Sequence, residues 1–373
     1  MQPDIAASAA RPTLSVVVPT YREAANVPVL FERLKATLAE LPWEMIVVDD
    51  DSPDGTADIA FGLAQRDPRA RCIRRVNRVG LAGAVIEGWL SSSAELVAVI
   101  DGDLQHDETI LPQMYETLAS RTANLAIGTR VADETAPGGL SPARQKLSDL
   151  GAWFFRRVAG IHVHDPMSGF FMVRREIVSR LAPRLSPDGF KILVDVILSA
   201  HGDLRIAETH YVFRPRHAGE SKLSPLVGID FLGLVAHHAS GGMLPIRFVL
   251  FAMIGAIGLV VHFLVLALLI LGLGADFVAS QVVATLVAMA SNFLLNNEIT
   301  YRANRYRAFG LIVGFGQFAA LCSVGAFANI DIAFSLFANK SGWWLAGLAG
   351  GLISVVWNYA ASSTIVWRKR RSA

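Results

Sequence analysis

The strongest constraint on the fold of this chain is a set of four long apolar runs toward its C-terminal end. They span roughly 246–272, 277–297, 309–328 and 343–367. A helix needs about 20 predominantly apolar residues to cross the hydrocarbon core of a bilayer, and each run is near or above that length. The sequence therefore predicts an α-helical transmembrane domain with four spans at 246–368, preceded by a globular domain at 13–223.

The composition of the whole chain agrees with this division. Of its 373 residues, 53% are hydrophobic and 18% are charged, with a mean hydropathy of +0.42. That is too apolar for an ordinary soluble enzyme and too charged for a protein made only of membrane helices. The formal net charge of +2 gives no global attraction to nucleic acid, so we expect no such partner. Cys72 and Cys322 fall one in each part, which argues against a disulfide framework.

Basic residues flank the apolar runs unevenly and predict their orientation. They cluster after the second run and after the fourth, at Arg302, Arg305, Arg307, Arg368, Lys369, Arg370 and Arg371. The positive-inside rule places both clusters, and both chain termini, in the cytoplasm. Residues 1–12 contain no apolar core and are not a signal peptide, so we expect the globular domain in the cytoplasm as well. The prediction is an integral membrane protein of the cell or plasma membrane.

Short segments flank these two domains. Residues 1–12 form a flexible N-terminal tail and residues 369–373 a basic C-terminal tail. Residues 224–245 interleave apolar side chains with polar ones such as His237 and His238. We interpret 224–245 as interfacial amphipathic helices that lie on the membrane. The alternative is an ordinary linker helix that packs on the globular domain.

Two features lie inside the apolar runs. Small residues four apart allow close helix approach and hence a homo-oligomer through these helices; they are Gly310 with Gly314 and Gly347 with Gly351. Polar residues also cluster at the end of the second run, at Asn292, Asn296, Asn297 and Glu298. Such residues can mark a site within the membrane. Simple solvation at the cytoplasmic border is the interpretation we favour.

The globular domain alternates short β-branched runs with helical patterns. Strands are predicted at 14–18, 45–48, 71–75 and 96–100, with helices near 27–41, 55–66 and 81–90. This alternation predicts an α/β, Rossmann-like fold with a mostly parallel sheet, in which ligands bind beyond the carboxyl ends of the strands. Three polar clusters, at 19–23, 49–51 and 101–105, fall at such ends. They are the first evidence of a site.

One of these clusters has the chemistry of a metal site. The chain has no G-x-G-x-x-G motif and no Walker A loop, so phosphates must be held in another way. Asp101 and Asp103 stand two apart at a predicted strand end, and Gln105 adds a third oxygen. Hard cations such as Mg²⁺ or Mn²⁺ take oxygen ligands and bridge to substrate phosphates. We therefore predict a divalent metal held by these three residues.

The order of the motifs resembles a known family. The motifs are VVVPTYREAANV, VVDDDSPDGT, NRVGLAGAVIEG, DGDLQHD, IGTR, DPMSGFF, DGFK and RHAGESKL. In this order they resemble the family 2 glycosyltransferases of GT-A fold, and more narrowly the dolichyl-phosphate mannose synthases. The resemblance covers about 14–223, nearly the whole globular domain. The membrane half is similar to GtrA-like four-helix domains.

The resemblance implies roles for individual residues. The pocket for the nucleotide base and ribose would be lined by Pro19, Tyr21, Glu23, Val48 and Asp50. The metal on the diphosphate would be held by Asp101, Asp103 and Gln105, with Gly102 between the two carboxylates. The acceptor phosphate would be contacted by Arg130, Arg144 and Arg216. Lys191 and Lys222, with Arg216, would complete the cationic side of the donor site. Asp103 and the three arginines would be the catalytic residues.

Two positions depart from the family pattern, Phe171 where relatives often carry Arg and Asp195 where they often carry Glu. Both bear on the identity of the sugar. The Q-x-x-R-W motif of processive synthases is absent, which favours single transfer. Three further residues invite a role. We interpret His106 as a structural group or as a hydrogen-bond partner behind the acidic cluster. We interpret Asp165 and Ser168 as stabilising a turn near the acceptor pocket, and direct contact with substrate is the alternative for these two.

The resemblance implies an enzyme that moves one mannose from GDP-mannose to dolichyl or polyprenyl phosphate. The transfer would be metal-dependent, would invert the anomeric carbon and would supply later glycosylation. One alternative is a glucosyl- or hexosyltransferase that uses a UDP-sugar. A second alternative, of another class, is that the membrane half translocates the lipid-linked sugar; we favour an anchoring role for it.

Overall fold

A computed structural model describes residues 11–76, 80–131, 160, 163–186, 191–200, 202–214, 233–238, 240–241, 243–338 and 353–368. For residues 303 and 326–338 it describes the backbone alone. The chain divides into two compact units, Met1–His238 and Ala239–Ala373.

The first unit is built on a seven-stranded sheet. Its strands are β1 (Leu14–Thr20), β2 (Trp43–Asp49), β3 (Ala70–Arg74), β4 (Leu96–Val99), β5 (Leu125–Val131), β6 (Phe171–Arg174) and β7 (Ile206–Val212). They lie in the order β3-β2-β1-β4-β6-β5-β7, and all neighbours are parallel except that β6 runs antiparallel to both β4 and β5. The predicted mostly parallel sheet is confirmed, and the four predicted strands are present.

Helices cover both faces of this sheet. They are α1 (Asn26–Thr37), α2 (Thr56–Arg66), α3 (Leu81–Ser91), α4 (Leu111–Ala119), α5 (Arg175–Leu181) and α6 (Ile192–Ser199). Leu30 and Leu34, one helical turn apart on α1, belong to the same buried core as Val16 of β1. Val17, the next residue along β1, faces the opposite way, toward Gly88 of α3. Because both faces are covered, the central strands are apolar along their whole length.

The second unit consists of apolar helices. Ile246–Ala267 continues through a π-turn at Leu268–Gly272, and Phe277–Leu295 continues through a π-turn at Asn296–Thr300. The resulting spans, of 27 and 24 residues, have the length and composition needed to cross a bilayer. Gly310–Ala338 is a third helix of 29 residues, which extends beyond the predicted run end at 328. Of the fourth run, 353–366 is helical, and 343–352 lies outside the described residues.

The two described helix pairs of this unit end alike. The second helix ends in a π-turn followed by Tyr301, and the last helix ends in a π-turn, Ser362–Val366, followed by Trp367. The two rings stack with centroids 4.3 Å apart and an angle of 5° between their planes. In each pair an asparagine packs on a glycine of the preceding helix, Asn292 on Gly258 and Asn358 on Gly325. The described parts of the two helix pairs therefore share the same kind of end and the same asparagine–glycine contact.

The polar cluster at the end of the second helix organises this unit. Asn296 and Asn297 are each 1% exposed, so the interpretation of simple solvation is wrong for these two residues. Asn297 Oδ1 accepts hydrogen bonds from Tyr306 N at 2.8 Å and Trp367 Nε1 at 3.1 Å, and its Nδ2 donates to Tyr306 O at 3.2 Å. Buried amide groups require such partners. Glu298 remains partly exposed and pairs with Arg305 at 2.9 Å.

The segment predicted to lie on the membrane is described at 233–238, 240–241 and 243–245. Residues 233–238 are helical, and Leu234 and Val235 are 5% and 0% exposed. His238 Nε2 lies 2.9 Å from Asp195 Oδ1 of α6. The interfacial interpretation is wrong for Leu234 and Val235, because apolar side chains that are buried in the protein cannot enter lipid.

Candidate active site

The polar clusters that follow β1, β2 and β4 meet in one cleft of about 440 Å³. Ten of the residues to which the resemblance assigns a role line it: Pro19, Tyr21, Glu23, Asp50, Asp101, Gly102, Asp103, Gln105, Arg130 and Lys191. All but Lys191, which directly precedes α6, meet because parallel strands bring their carboxyl ends to one edge of the sheet. Arg144, Arg216 and Lys222 lie outside the described residues.

Val48 does not line the cleft. It is 0% exposed in β2, between β1 and β3, and its side chain faces Gly88 of α3. The prediction for Val48 is wrong, because the face on which this residue lies is covered by a helix.

Only one carboxylate of the run Asp49-Asp50-Asp51 lines the cleft. Asp50 forms an ion pair with buried Arg75 and accepts a hydrogen bond from Gly80 N at 2.7 Å. Burial raises the pKa of Asp50, against the opposing effects of Gly80 N and Arg75. Asp49 is fully buried and accepts hydrogen bonds from its neighbours, so its role is structural.

The loop after β4 presents two carboxylates to the cleft. Asp103 Oδ1 accepts a hydrogen bond from Gln105 N at 3.2 Å, and Gln105 Nε2 donates to Arg214 O at 3.2 Å. Asp101 Oδ2 lies 3.1 Å from His106 Nε2. Among the described residues, no three His, Cys, Asp or Glu side chains form a metal cluster. A metal in this cleft would therefore use the two carboxylates and the Gln105 oxygen, and would depend on substrate phosphates for the rest.

The antiparallel strand β6 brings a second motif to this edge. The register pairs Val99 of β4 with Phe171 of β6, and continuing it by two residues brings Asp101 opposite Gly169. A Cβ at Gly169 would lie 2.5 Å from Asp101 Oδ2, closer than real Cβ contacts come. Glycine is needed here because the carboxylate occupies the space of a side chain. The DPMSGFF motif therefore shapes the carboxylate side of the cleft, a role that the sequence analysis did not identify.

Arg130, at the end of β5, is held by Asp165. Its Nε donates to Asp165 Oδ2 at 2.6 Å and its Nη2 donates to Oδ1 at 2.9 Å. This bidentate bond raises the pKa of Arg130 further above its usual range. The guanidinium carbon also lies 5.5 Å from the ring centroid of Phe213.

The turn that contains Asp165 has the predicted form. Ser168 N donates to Asp165 O at 3.2 Å, and Ser168 Oγ donates to Gly128 O at 2.7 Å. The prediction that Asp165 and Ser168 stabilise a turn is confirmed. The pair with Arg130 was missed, because 35 residues separate the two partners and no local spacing signals their contact.

The two departures from the family pattern lie away from the cleft. Phe171 is 0% exposed in β6. Asp195 is 3% exposed and accepts a hydrogen bond from Ser186 N at 2.7 Å, next to its contact with His238. Neither residue lines the cleft, so neither departure bears on sugar recognition by direct contact.

Comparisons with known proteins find relatives of both halves of the chain. Residues 15–182 match the model of glycosyl transferase family 2, and residues 250–367 match the GtrA/DPMS transmembrane domain. A glucosyl-3-phosphoglycerate synthase from Mycobacterium tuberculosis has a similar structure, with a TM-score of 0.49 and 18% identity over 61% of this chain and 80% of that one. The chain thus carries a family 2 glycosyltransferase domain followed by a GtrA-type transmembrane domain, and it is a membrane protein.

Individual relatives narrow this class. The dolichol-phosphate mannosyltransferase of Pyrococcus furiosus is 31% identical over 95% of this chain and 99% of its own length. The Saccharomyces cerevisiae protein of that name is 34% identical over 58% of this chain and 84% of its own. The undecaprenyl-phosphate mannosyltransferase of Micrococcus luteus is 32% identical over 56% of this chain and 86% of its own. This chain belongs to the dolichol-phosphate mannosyltransferase family.

Proposed function

We propose that this protein transfers a single mannose from GDP-mannose to a dolichyl or polyprenyl phosphate, with inversion, at the cytoplasmic face of a membrane. The proposal rests on the presence, in the lining of one cleft, of both the Asp101 and Asp103 carboxylates and the Arg130 guanidinium. The names of the relatives support mannose as the sugar and a polyprenyl phosphate as the acceptor.

The donor lies, on this proposal, across the ends of β1, β2 and β4. Pro19, Tyr21, Glu23 and Asp50, which line the cleft, would hold the base and ribose, and Lys191 would supply positive charge together with Lys222 and Arg216. Arg75 and Gly80 N keep Asp50 in place. Because that carboxylate is already bonded on one side, it is preorganised to accept hydrogen bonds from a ligand on the other.

A divalent cation, Mg²⁺ or Mn²⁺, fits the donor set of the cleft. Asp101, Asp103 and Gln105 would hold it through oxygen atoms, and Gly102 lies between the two carboxylates in the lining of the cleft. When bound, it supplies positive charge at the diphosphate leaving group. Asp101 and Asp103, the latter 9% exposed, would hold the cation at the place where the diphosphate binds.

The acceptor is itself an anion, and this sets the task of the arginines. Two unit charges ~4 Å apart repel by about 4 kcal/mol at an effective dielectric constant of 20. Arg130, together with Arg144 and Arg216, would remove that repulsion and position the acceptor phosphate. Arginine suits this role since its planar fork binds two phosphate oxygens at once.

No general base is required by this mechanism. The second ionisation of a phosphate monoester has a pKa of about 6, so the acceptor phosphate is mostly a dianion at neutral pH (about −2 charge). Its oxygen can therefore attack without first losing a proton. Asp165 and Asp195, the two carboxylates to test as bases, are engaged elsewhere, Asp165 with Arg130 and Asp195 with Ser186 N and His238. Their engagement supports direct attack by the phosphate oxygen on the anomeric carbon, which inverts that centre.

The donor experiment uses the purified full-length protein in vesicles that contain a polyprenyl phosphate. Radiolabelled GDP-mannose and UDP-glucose are supplied in parallel, and the labelled lipid is measured with and without Mn²⁺. We expect label from GDP-mannose alone, with Mn²⁺ required, and none from the Asp103→Ala variant. Equal or better transfer from UDP-glucose would make the protein a hexosyltransferase of the UDP-sugar type, and normal turnover by Asp103→Ala would remove the metal assignment.

A further inference from the structure

The carboxylate of Asp101 is connected to the core of the first unit by two buried side chains. Its Oδ2 lies 3.1 Å from His106 Nε2, and His106 Nδ1 forms a short hydrogen bond with the hydroxyl of Tyr211. His106 is 3% exposed and Tyr211 is 4% exposed, whereas the Asp101 side chain is 34% exposed to the cleft. The three residues therefore form a line of hydrogen bonds that runs from the core to the cleft.

The direction of these hydrogen bonds follows from the chemistry of the groups. An ionised carboxylate only accepts, so His106 Nε2 must carry a proton and donate it to Asp101. With Nε2 donating, the other nitrogen, Nδ1, can accept, and the Tyr211 hydroxyl is the donor within reach. Burial raises the pKa of Tyr211, so the hydroxyl stays protonated at neutral pH. Tyr211 therefore selects the tautomer of His106 that donates to Asp101.

The surrounding rings hold the imidazole in its orientation. Its centroid lies 5.4 Å from the rings of Phe170 and Phe213, and 5.8 Å from that of Tyr211. Three aromatic contacts leave little freedom for the ring to rotate. The Asp101 carboxylate also packs close to Gly169, in the space that a side chain at that position would fill.

The end of β7 also fixes the loop that carries these residues. Arg214 N donates to Gln105 O at 2.9 Å, and Gln105 Nε2 donates back to Arg214 O. The guanidinium of Arg214 binds Asp107 and Glu108 at 2.6 and 2.8 Å. Strand β7 thus contacts the loop of the two carboxylates at several successive residues.

We propose that Tyr211, acting through His106, is a positioning residue that fixes the Asp101 carboxylate for the divalent cation of the donor site. This inference rests on the proposed function and adds two buried residues, His106 and Tyr211, that would set the affinity of the donor site for the cation. Outer hydrogen-bond partners of metal ligands typically contribute about 10- to 100-fold in metal affinity. A purely structural role would instead change the stability of the fold and leave the cation affinity unaltered.

The test is Mn²⁺ binding by the full-length protein in the presence of GDP, measured by electron paramagnetic resonance. Tyr211→Phe removes one hydroxyl and keeps the ring in the core, and His106→Phe removes both hydrogen bonds and keeps the aromatic packing. Tyr115→Phe, at a half-buried tyrosine of α4, is the matched control. We expect the Mn²⁺ dissociation constant to rise about 3- to 10-fold in Tyr211→Phe and about 10- to 100-fold in His106→Phe, with no change in the control. Transfer by Tyr211→Phe should recover as Mn²⁺ is raised.

The outcomes separate this inference from the function on which it rests. Wild-type affinity for Mn²⁺ in Tyr211→Phe and His106→Phe would overturn the inference alone. A loss of thermal stability in Tyr211→Phe without any change in Mn²⁺ affinity would overturn it as well. Failure of the wild type to bind Mn²⁺ would remove the metal-dependent function, and the inference with it.

Discussion

A side chain at Gly169 would collide with the carboxylate of Asp101. A Cβ at Gly169 would lie 2.5 Å from Asp101 Oδ2 and 3.0 Å from its Cγ, whereas ordinary contacts begin at 3.4 Å. In the variant Gly169→Ala the carboxylate or the DPMSGFF turn must therefore move by about 0.9 Å. The backbone of Gly169 is not left-handed, so this steric contact is the whole perturbation.

A displacement of this size matters more for the reaction than for the fold. Overpacking of this kind costs about 1–3 kcal/mol of folding free energy. A misplacement of ~1 Å at reacting groups costs on the order of 100-fold in rate. We therefore expect kcat/KM for mannose transfer to fall about 100-fold in Gly169→Ala and Mn²⁺ binding to weaken, while the protein still folds.

The assay is mannose transfer and Mn²⁺ binding by the wild type, Gly169→Ala and a control, Gly62→Ala. A Cβ at Gly62, in α2, would meet nothing closer than Arg66 Nη2 at 3.9 Å. The control should keep wild-type activity and gain a little stability, since alanine favours a helix interior by roughly 0.5–1 kcal/mol. If Gly169→Ala kept kcat/KM and Mn²⁺ affinity within twofold of the wild type, the argument that Gly169 shapes the carboxylate site would be refuted.

Three further predictions concern other carboxylates. Asp165→Asn should lower kcat/KM about tenfold, because hydrogen bonds to charged groups are worth about 1.5–3 kcal/mol and the 40% exposure of the Arg130 side chain favours the lower end. The measurement is steady-state kinetics at varied acceptor concentration, and unchanged values of both kcat and KM would contradict the prediction. Asp195→Asn should lose about 1–3 kcal/mol of unfolding free energy in denaturant titration and keep turnover per folded molecule; abolished turnover with intact folding and substrate binding would identify Asp195 as a base. Burial acts to raise the pKa of Glu208, but hydrogen bonds from His164 and Thr129 outweigh it and lower that pKa. Its stabilising effect is therefore present above the ordinary glutamate pKa of about 4.3 and is lost as the pH falls through the lower folded value. The difference in Tm between wild type and Glu208→Gln should be largest near neutral pH and vanish in acid, and a difference independent of pH would contradict this origin.

Much of the cleft was predictable from the sequence because its signals are local. A buried β-branched run that ends in polar residues marks the carboxyl end of a strand, and the runs before Asp50 and Asp101 both have this form. In a parallel sheet such ends meet, whatever the order of the strands. Eight of the ten residues found together in the cleft belong to the three clusters that this rule identifies, whereas Arg130 and Lys191 were indicated only by the family resemblance.

The errors arise where two distant segments decide the outcome. Val48 lies in β2, which is apolar on both faces, so the pattern of apolar residues along the strand does not indicate which of them is exposed to the cleft. The antiparallel direction of β6 places Gly169 against Asp101, and no spacing in the sequence signals that direction. The same applies to Asp165 with Arg130 and to Asn297 with Trp367, since each pair is made by tertiary packing.

The proposed mechanism requires that the acceptor is a phosphate, which attacks without a protein base. The most direct measurement supplies the purified protein with GDP-mannose, Mn²⁺ and either a polyprenyl phosphate or the matching free polyprenol, and follows mannose transfer as a function of pH. The mechanism predicts transfer to the phosphate alone and a β-configured mannosyl phosphate product. It also predicts that the acidic limb of the pH–rate profile follows the second ionisation of the acceptor. Transfer to the free alcohol at a comparable rate, or retention of the α configuration, would contradict it.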